Sequence, residues 1–191
     1  MFGRTDIALV NEQDNPIGLD REGDPHAKDD LVTINQLHIP VNKPIVVEVT
    51  TKDVIHSFFL PVLRIKQDTI PGMMIPVSFT ATQTSDQLRQ QLAKTYDLTA
   101  QPDLTGLITL ADITGPDGSV LVKKGRGLQA ADITKLTENG ITTVQLGPRV
   151  PAEIACAQLC GLGHYRMRGF LTIHDAAGYQ AWLAEEAEAL E

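Results

Sequence analysis

The chain has 191 residues with 16 basic and 24 acidic side chains, a formal net charge of −8 with the histidines neutral, and a mean hydropathy of −0.06. That length gives one domain with room for an appendage, and 42% apolar with 21% charged residues excludes collagen, coiled coil and disorder. Lys and Arg form no cluster that would hold a phosphate backbone, so nucleic acid is excluded as a partner and a basic protein suits the charge better.

Residues 1–30 carry Gly, Pro, Asn and Asp throughout and show no period, which predicts an extended arm. From Leu31, LVTINQLHI and IVVEVTT alternate or run apolar around the turn-like PVNKP, the pattern of two strands joined by a tight connection. VIHSFFLP continues this texture, a polar RIKQDTIPG ends in a Pro-Gly turn, and MMIPVSFTAT predicts another strand. SDQLRQQLAKTY, with Leu88 and Leu92 four apart, predicts a short helix. LTGLITLADI and SVLVKK flank Gly115-Pro116-Asp117-Gly118, a hairpin signal. LQAADITKLTENG places Leu128, Ile133 and Leu136 on one side of a helix that stops at Gly140, and ITTVQLG follows as a strand. EIACAQLCGLGHYRMRGFLTIH resumes the β texture, and Asp175 can cap a last helix with Tyr179, Trp182 and Leu183 on its buried face. The expected architecture is mainly β, a sandwich or barrel made of residues 1–84 and 149–191, with residues 85–148 as an inserted α+β subdomain and a C-terminal helix.

No apolar stretch approaches the ~20 residues that cross a bilayer. The first residues, MFGRTDIALVNEQ, lack the apolar run of a secretory signal, so the expectation is either a cytoplasmic protein or a chain from which a leader or anchor has been left off.

Chemistry concentrates in Cys156-Ala-Gln-Leu-Cys160-Gly-Leu-Gly-His164-Tyr-Arg-Met167. Two thiolates, an imidazole and a thioether select by softness, since Met is a poor ligand for zinc and a good one for copper. Gly161 and Gly163 let the backbone between these donors turn tightly. Cys160, His164 and Met167 alone have the spacing of a single blue-copper loop, which needs one more His from a distant strand, and His56 is the candidate. Cys156 changes that reading: a second strong thiolate suits two coppers bridged by both sulfurs, each with one His as terminal ligand. A Cys156–Cys160 disulfide and a zinc site on both thiolates and His164 are the competing readings, and neither accounts for Met167 together with the glycines. His26, His38 and His174 are read as structural.

Two blocks, LHIPVNKPIVVEVTTKDVIHSFFLPVLRIKQDTIPGM (37–73) and EIACAQLCGLGHYRMRG (153–169), resemble the periplasmic copper domain of cytochrome c oxidase subunit II. The resemblance implies a cupredoxin Greek-key fold bearing the binuclear copper A centre, two copper ions in all. It implies His56 and His164 as imidazole ligands, Cys156 and Cys160 as bridging thiolates, Met167 as the weak thioether, and Gln158 as the residue giving its backbone carbonyl. Many relatives have Glu where Gln158 stands, and its side chain helps hold a magnesium ion, so Gln158 weakens the case for that ion here. The family's N-terminal membrane helices and its tryptophan-rich segment have no counterpart, and the one tryptophan is Trp182.

The implied function is an electron relay on the periplasmic side of the bacterial inner membrane, tied to the membrane only through an anchor absent from this chain. It would accept electrons from cytochrome c and pass them to the haem of oxidase subunit I, with no bond chemistry at its own site. Phe58, Phe59 and Leu162 are expected to shield the coppers from solvent. A copper sensor or copper-handling module with the same ligands is the alternative. A thioredoxin-fold chaperone is disfavoured because His56 lies upstream of the cysteines, and nitrous oxide reductase because 191 residues leave no room for a propeller.

Overall fold

The structure is a computed structural model and describes residues 3–11 and 15–188. Contacts divide the chain into two units, Met1–Ile34 with Ala177–Glu191, and Asn35–Ala176. In the larger unit, β-branched and aromatic residues form β1 (Gln36–Pro40), β2 (Pro44–Val49), β3 (His56–Leu60), β4 (Ile65–Thr69) and β5 (Ile75–Thr80). The helix α1 (Ser85–Gln91) precedes β6 (Lys94–Asp97), β7 (Leu107–Thr109), β8 (Ile113–Thr114) and β9 (Val120–Val122). Then come α2 (Ala130–Glu138), β10 (Thr143–Pro148), β11 (Glu153–Cys156) and β12 (Arg168–His174).

The fold is mainly β. One sheet has the order β1-β12-β11-β3-β4, with β1 and β12 parallel and the other neighbours antiparallel. The antiparallel pair β2-β5 supplies a second layer. Ile39, Leu60, Leu171 and Ile173 from the large sheet bury their side chains against Ile45 and Phe79 of the small one, so the core lies between the layers. Each fully buried Leu or Ile there contributes roughly 1.5–3 kcal/mol. Leu88 of α1 joins this core, and the Ile173 amide donates to the buried Ser85 hydroxyl at 2.9 Å, which fixes α1 against β12. The helix starts as a capping box: the Gln87 amide donates to Thr84 Oγ1 at 3.2 Å and the Thr84 amide to Gln87 Oε1 at 2.8 Å.

A second apolar cluster, built from Leu98, Leu104, Val122, Leu128, Leu136, Val144 and Leu146, joins the β6-β10-β7 sheet, the β8-β9 hairpin and α2. The expected helix over 85–96 ends at Gln91, because Thr95 and Tyr96 pair with Gln145 and Val144 of β10. The polar RIKQDT segment, read only as leading into a Pro-Gly turn, is the strand β4. It is an edge strand, with one neighbour and one wet side, and needs no unbroken apolar face. The first strand starts at Gln36, five residues later than the pattern from Leu31 suggested, after Asn35 takes a φ of 56°. Helix α2 is followed, as expected, by Gly140 at a φ of 78°.

In the smaller unit the described part of residues 1–30 doubles back on itself and does not run out as an arm. The Asp6 amide donates to Gly18 O at 2.7 Å and the Asp20 amide to Arg4 O at 2.8 Å, burying Leu19 and Ala27. The Arg21 guanidinium holds the turn by donating to the carbonyls of Ala27, Lys28 and Asp30. The helix α3 (Ala176–Glu188) is present, with Tyr179, Trp182 and Leu183 half-buried around a depression shared with Leu19 and Leu31, so its inner face is less covered than the pattern implied.

Candidate metal centre

The candidate residues come from one strand start and one hairpin. His56 opens β3, and Cys156 ends β11 opposite Phe58. Because strand side chains alternate, His56 and Phe58 share a face, and Cys156 in register with Phe58 shares it too. The chain then loops through residues 157–167 and returns to β12, closed by the Cys156 amide donating to Met167 O at 3.3 Å. Gly161, at a φ of 125°, is the residue the loop cannot replace freely. Gly163 sits at a φ of −84°, open to any residue, so only one of the two expected glycines is needed for the turn.

All six predicted residues meet here. The two sulfurs lie 3.7 Å apart and both cysteines are free, well beyond the ~2.05 Å of a disulfide. Cys156 Sγ is 3.9 Å from His56 Nδ1 and 3.2 Å from the Gln158 carbonyl oxygen. Cys160 Sγ is 3.4 Å from His164 Nδ1 and 3.2 Å from Met167 Sδ. The sulfur pair is thus the centre, with two imidazoles, one carbonyl and one thioether drawn in around it. His56, Cys156 and Cys160 can hold a metal ion directly, their donor atoms all lying within 4.8 Å of one another. An ion ~2.3 Å from each sulfur would see them at an angle of about 107°, near tetrahedral, so the 3.7 Å separation suits shared metal–thiolate bonding.

One further residue belongs to the site and was not picked out by spacing. Asp53 Oδ1 accepts from His56 Nε2 at 2.8 Å, and Thr51 Oγ1 donates to the same oxygen at 2.9 Å. This leaves Nδ1 as the nitrogen that faces Cys156, the arrangement by which an outer carboxylate orients a metal-binding imidazole. The signal was there: a carboxylate three residues before a candidate His. The hydrogen bond from His56, helped by Thr51 and the Val54 backbone, lowers the Asp53 carboxyl to about 2. The same bond, with a smaller contribution from Cys156, raises the His56 imidazole.

The thiols are driven apart. Partial burial pushes Cys156 up, but backbone hydrogen bonding at Gln158 and Ser57, with His56 and Cys160, outweighs it and brings the group to about 6. Desolvation and the neighbouring Cys156 raise Cys160. The metal-free pair therefore holds a thiolate at Cys156 at neutral pH, already in the form that binds metals.

The loop is strongly exposed: Leu159 is 83%, Leu162 99% and Tyr165 75% accessible. Leu162 therefore shields nothing, contrary to expectation; Phe58 is half-buried on the site's face of β3, whereas Phe59, also half-buried, lies on the opposite face.

Fold and donor set define a two-layered β domain with a sulfur-rich group that could hold a metal ion. The chain resembles the periplasmic domain of cytochrome c oxidase subunit II: residues 20–91 match the family model of that description, a stretch that includes His56 and ends before the cysteines. It is 26% identical over 186 residues to the alternative cytochrome c oxidase subunit 2 of Bradyrhizobium diazoefficiens, covering 97% of this chain and 43% of that one. It is 34% identical over 93 residues to cytochrome c oxidase subunit 2 of Synechocystis sp., covering 43% of this chain and 28% of that one. The chain thus spans less than half the length of these relatives. A crystal structure of the periplasmic domain of cytochrome oxidase subunit II from Bradyrhizobium japonicum is similar over 86% of this chain and 75% of that one, with a TM-score of 0.45 and 21% identity. Among the described residues no helix is long and apolar enough to cross a membrane.

Proposed function

We propose that this chain is the electron-transfer domain of a cytochrome c oxidase subunit II and holds a binuclear copper A centre on His56, Cys156, Gln158, Cys160, His164 and Met167. The observation that carries the reading is the donor count. Six donor atoms, drawn together within hydrogen-bond range of two sulfurs, exceed the four positions of one tetrahedral ion. If both sulfurs are shared, two ions each obtain two thiolates, one imidazole and one weak donor, and no donor is left over. Softness favours copper for this set.

Bound there, such a pair supplies one-electron exchange in which the charge change is spread over two metals and two sulfurs, so bond lengths shift little. The protein's part is to hold the donors in place. Asp53 fixes the His56 ring, β3 and β11 set its distance to Cys156, and the Gly161 turn brings Cys160, His164 and Met167 back to the same point. In this reading electrons come from cytochrome c and leave to the haem of oxidase subunit I, on the periplasmic side of the bacterial inner membrane. The relatives' names and the matched family support the oxidase setting. Residues 85–148 are read as an insertion between the halves of the copper domain; their separate apolar cluster supports this.

The test is copper stoichiometry and electron paramagnetic resonance on the loaded chain. Two coppers per chain and a hyperfine pattern of one electron shared equally by two copper nuclei are expected. A single copper with a localised signal overturns the binuclear assignment. A correct copper pair that exchanges no electrons with reduced cytochrome c would favour a sensing or copper-handling module instead.

A further inference from the structure

The inner face of the large sheet is only partly covered. Five strands face the two of the β2-β5 pair, and Phe58 and Ile154, which pack towards the core, are left half-buried. Over them opens a cleft of about 660 Å3, bounded on its other side by Val49 at the end of β2 and by Thr50 and Thr51. Strand register assigns its floor. Thr69 lies opposite His56 and Cys156 opposite Phe58, so these four side chains project from one face, with Ile154 two positions before Cys156 on the same face. The cleft reaches the donor set at His56, Cys156 and Met167, whereas Gln158, Cys160 and His164 do not line it.

One polar atom in this floor is unsettled. Thr69 is 6% exposed, and among the described residues its hydroxyl has no hydrogen-bond partner. A buried hydroxyl left unpaired costs stability that a bound molecule with a matching group returns. The mouth carries Glu48 on the β2 side and Arg166 on the other. Arg168 beside it is paired with Glu153, and the Arg166 guanidinium lies 5.2 Å from the centre of the Tyr165 ring. One anion and one cation on opposite lips give a charged ligand no net advantage. Apolar walls, a single inward hydroxyl and a volume within the roughly 300–1,000 Å3 of small-molecule sites together describe a pocket for a mostly apolar molecule.

We propose that this cleft binds an uncharged, ring-bearing alcohol or phenol, with the ring between Val49, Phe58 and Ile154 and its hydroxyl on Thr69 Oγ1. A threonine hydroxyl both donates and accepts, so it pairs with a ligand hydroxyl in either direction. Because His56 and Cys156 form part of the wall, an occupant removes water from their inner side. Binding needs no metal, so the site stands or falls separately from the copper centre.

The test adds 2-naphthol to the metal-free full chain at neutral pH, with naphthalene as the same ring without the hydroxyl. It is read by ligand fluorescence and by the side-chain resonances of Val49, Phe58 and Ile154. One saturable equivalent that moves those resonances is expected, with 2-naphthol tighter than naphthalene by about fivefold or more. Thr69→Val keeps the shape and removes the hydroxyl, and should bring the two ligands to equal affinity, whereas Thr69→Ser should keep the preference. Saturating 2-naphthol should also slow alkylation of Cys156. No saturable binding below millimolar ligand, shifts confined to residues outside the cleft, or a preference for 2-naphthol that survives Thr69→Val overturns the site. Should Thr69→Val not fold, equal affinity of the parent chain for the two ligands refutes the role of the hydroxyl as directly.

Discussion

Asp53 is the sharpest place to test how the candidate centre is built. Its carboxylate is exposed and hydrogen-bonds to the site through His56 Nε2, at 2.8 Å. Removing it leaves all six proposed donors in the chain. Outer groups of this kind are worth about 10–100-fold in metal affinity. Asn keeps the shape and still accepts from Nε2, but a neutral acceptor is roughly half as strong as a charged one, which puts Asp53→Asn near tenfold and Asp53→Ala near the upper limit. The pH dependence gives the reasoning its sign. Asp53 raises the His56 imidazole, so in the native chain protons compete with metal for Nδ1 to a higher pH than they would without it. Asp53→Asn relaxes that competition. The deficit of the variant should accordingly be smaller at pH 6 than at pH 8. Competition for Cu+ against a coloured chelator at the two pH values measures it. A deficit below twofold at pH 8, or one that grows as pH falls, would refute the orienting role.

On the proposed two-copper reading, Cys156→Ser should cost the chain one copper and change its colour, as read by metal analysis and absorption, because a hydroxyl does not bridge as a thiolate does. Met167→Leu should keep both coppers and move the reduction potential, seen by voltammetry; loss of metal would show that the thioether is no weak ligand. In the copper-free protein, iodoacetamide should label Cys156 first, at a rate that climbs as pH passes about 6 and levels off, while Cys160 reacts only at higher pH. Peptide mapping separates the two. Leu60→Ala, at a fully buried position between the layers, should lower stability by about 2–5 kcal/mol in denaturant melts. Leu162→Ala, on the exposed loop, should stay within about 0.5 kcal/mol of the parent.

How far the sequence could be read depended on distance along the chain. Cys156, Cys160, His164 and Met167 lie on one loop, so their spacing carries their geometry. His56, a hundred positions away, became legible as a histidine on a distant strand and through the resemblance of the block around it; its register with the cysteine hairpin is visible only in the structure. Asp53 was missed although it is local, since an exposed Asp looks like any other until its partner is known. The pairing of β1 with β12 depends on two strands from opposite ends of the larger unit meeting side by side, and no periodicity within either strand encodes that register. β4 was missed because an edge strand can be polar, and β6 because a helical pattern ran up to it. Leu162 was misjudged because an apolar residue beside a site reads as lining, and only the turn at Gly161 decides that it points outward.

The adjacency of β1 and β12 orders events during biosynthesis. β1 has no neighbour in its sheet other than β12, whose residues emerge more than a hundred positions later, so the earliest strand of this layer must wait for the last to be made. Closing so long a stretch of polypeptide is slow, and nothing local rewards it beforehand. Met167 directly precedes that final strand. The thioether is thus delivered by the step that completes the sheet, so the six proposed donors come together only once that pairing is made.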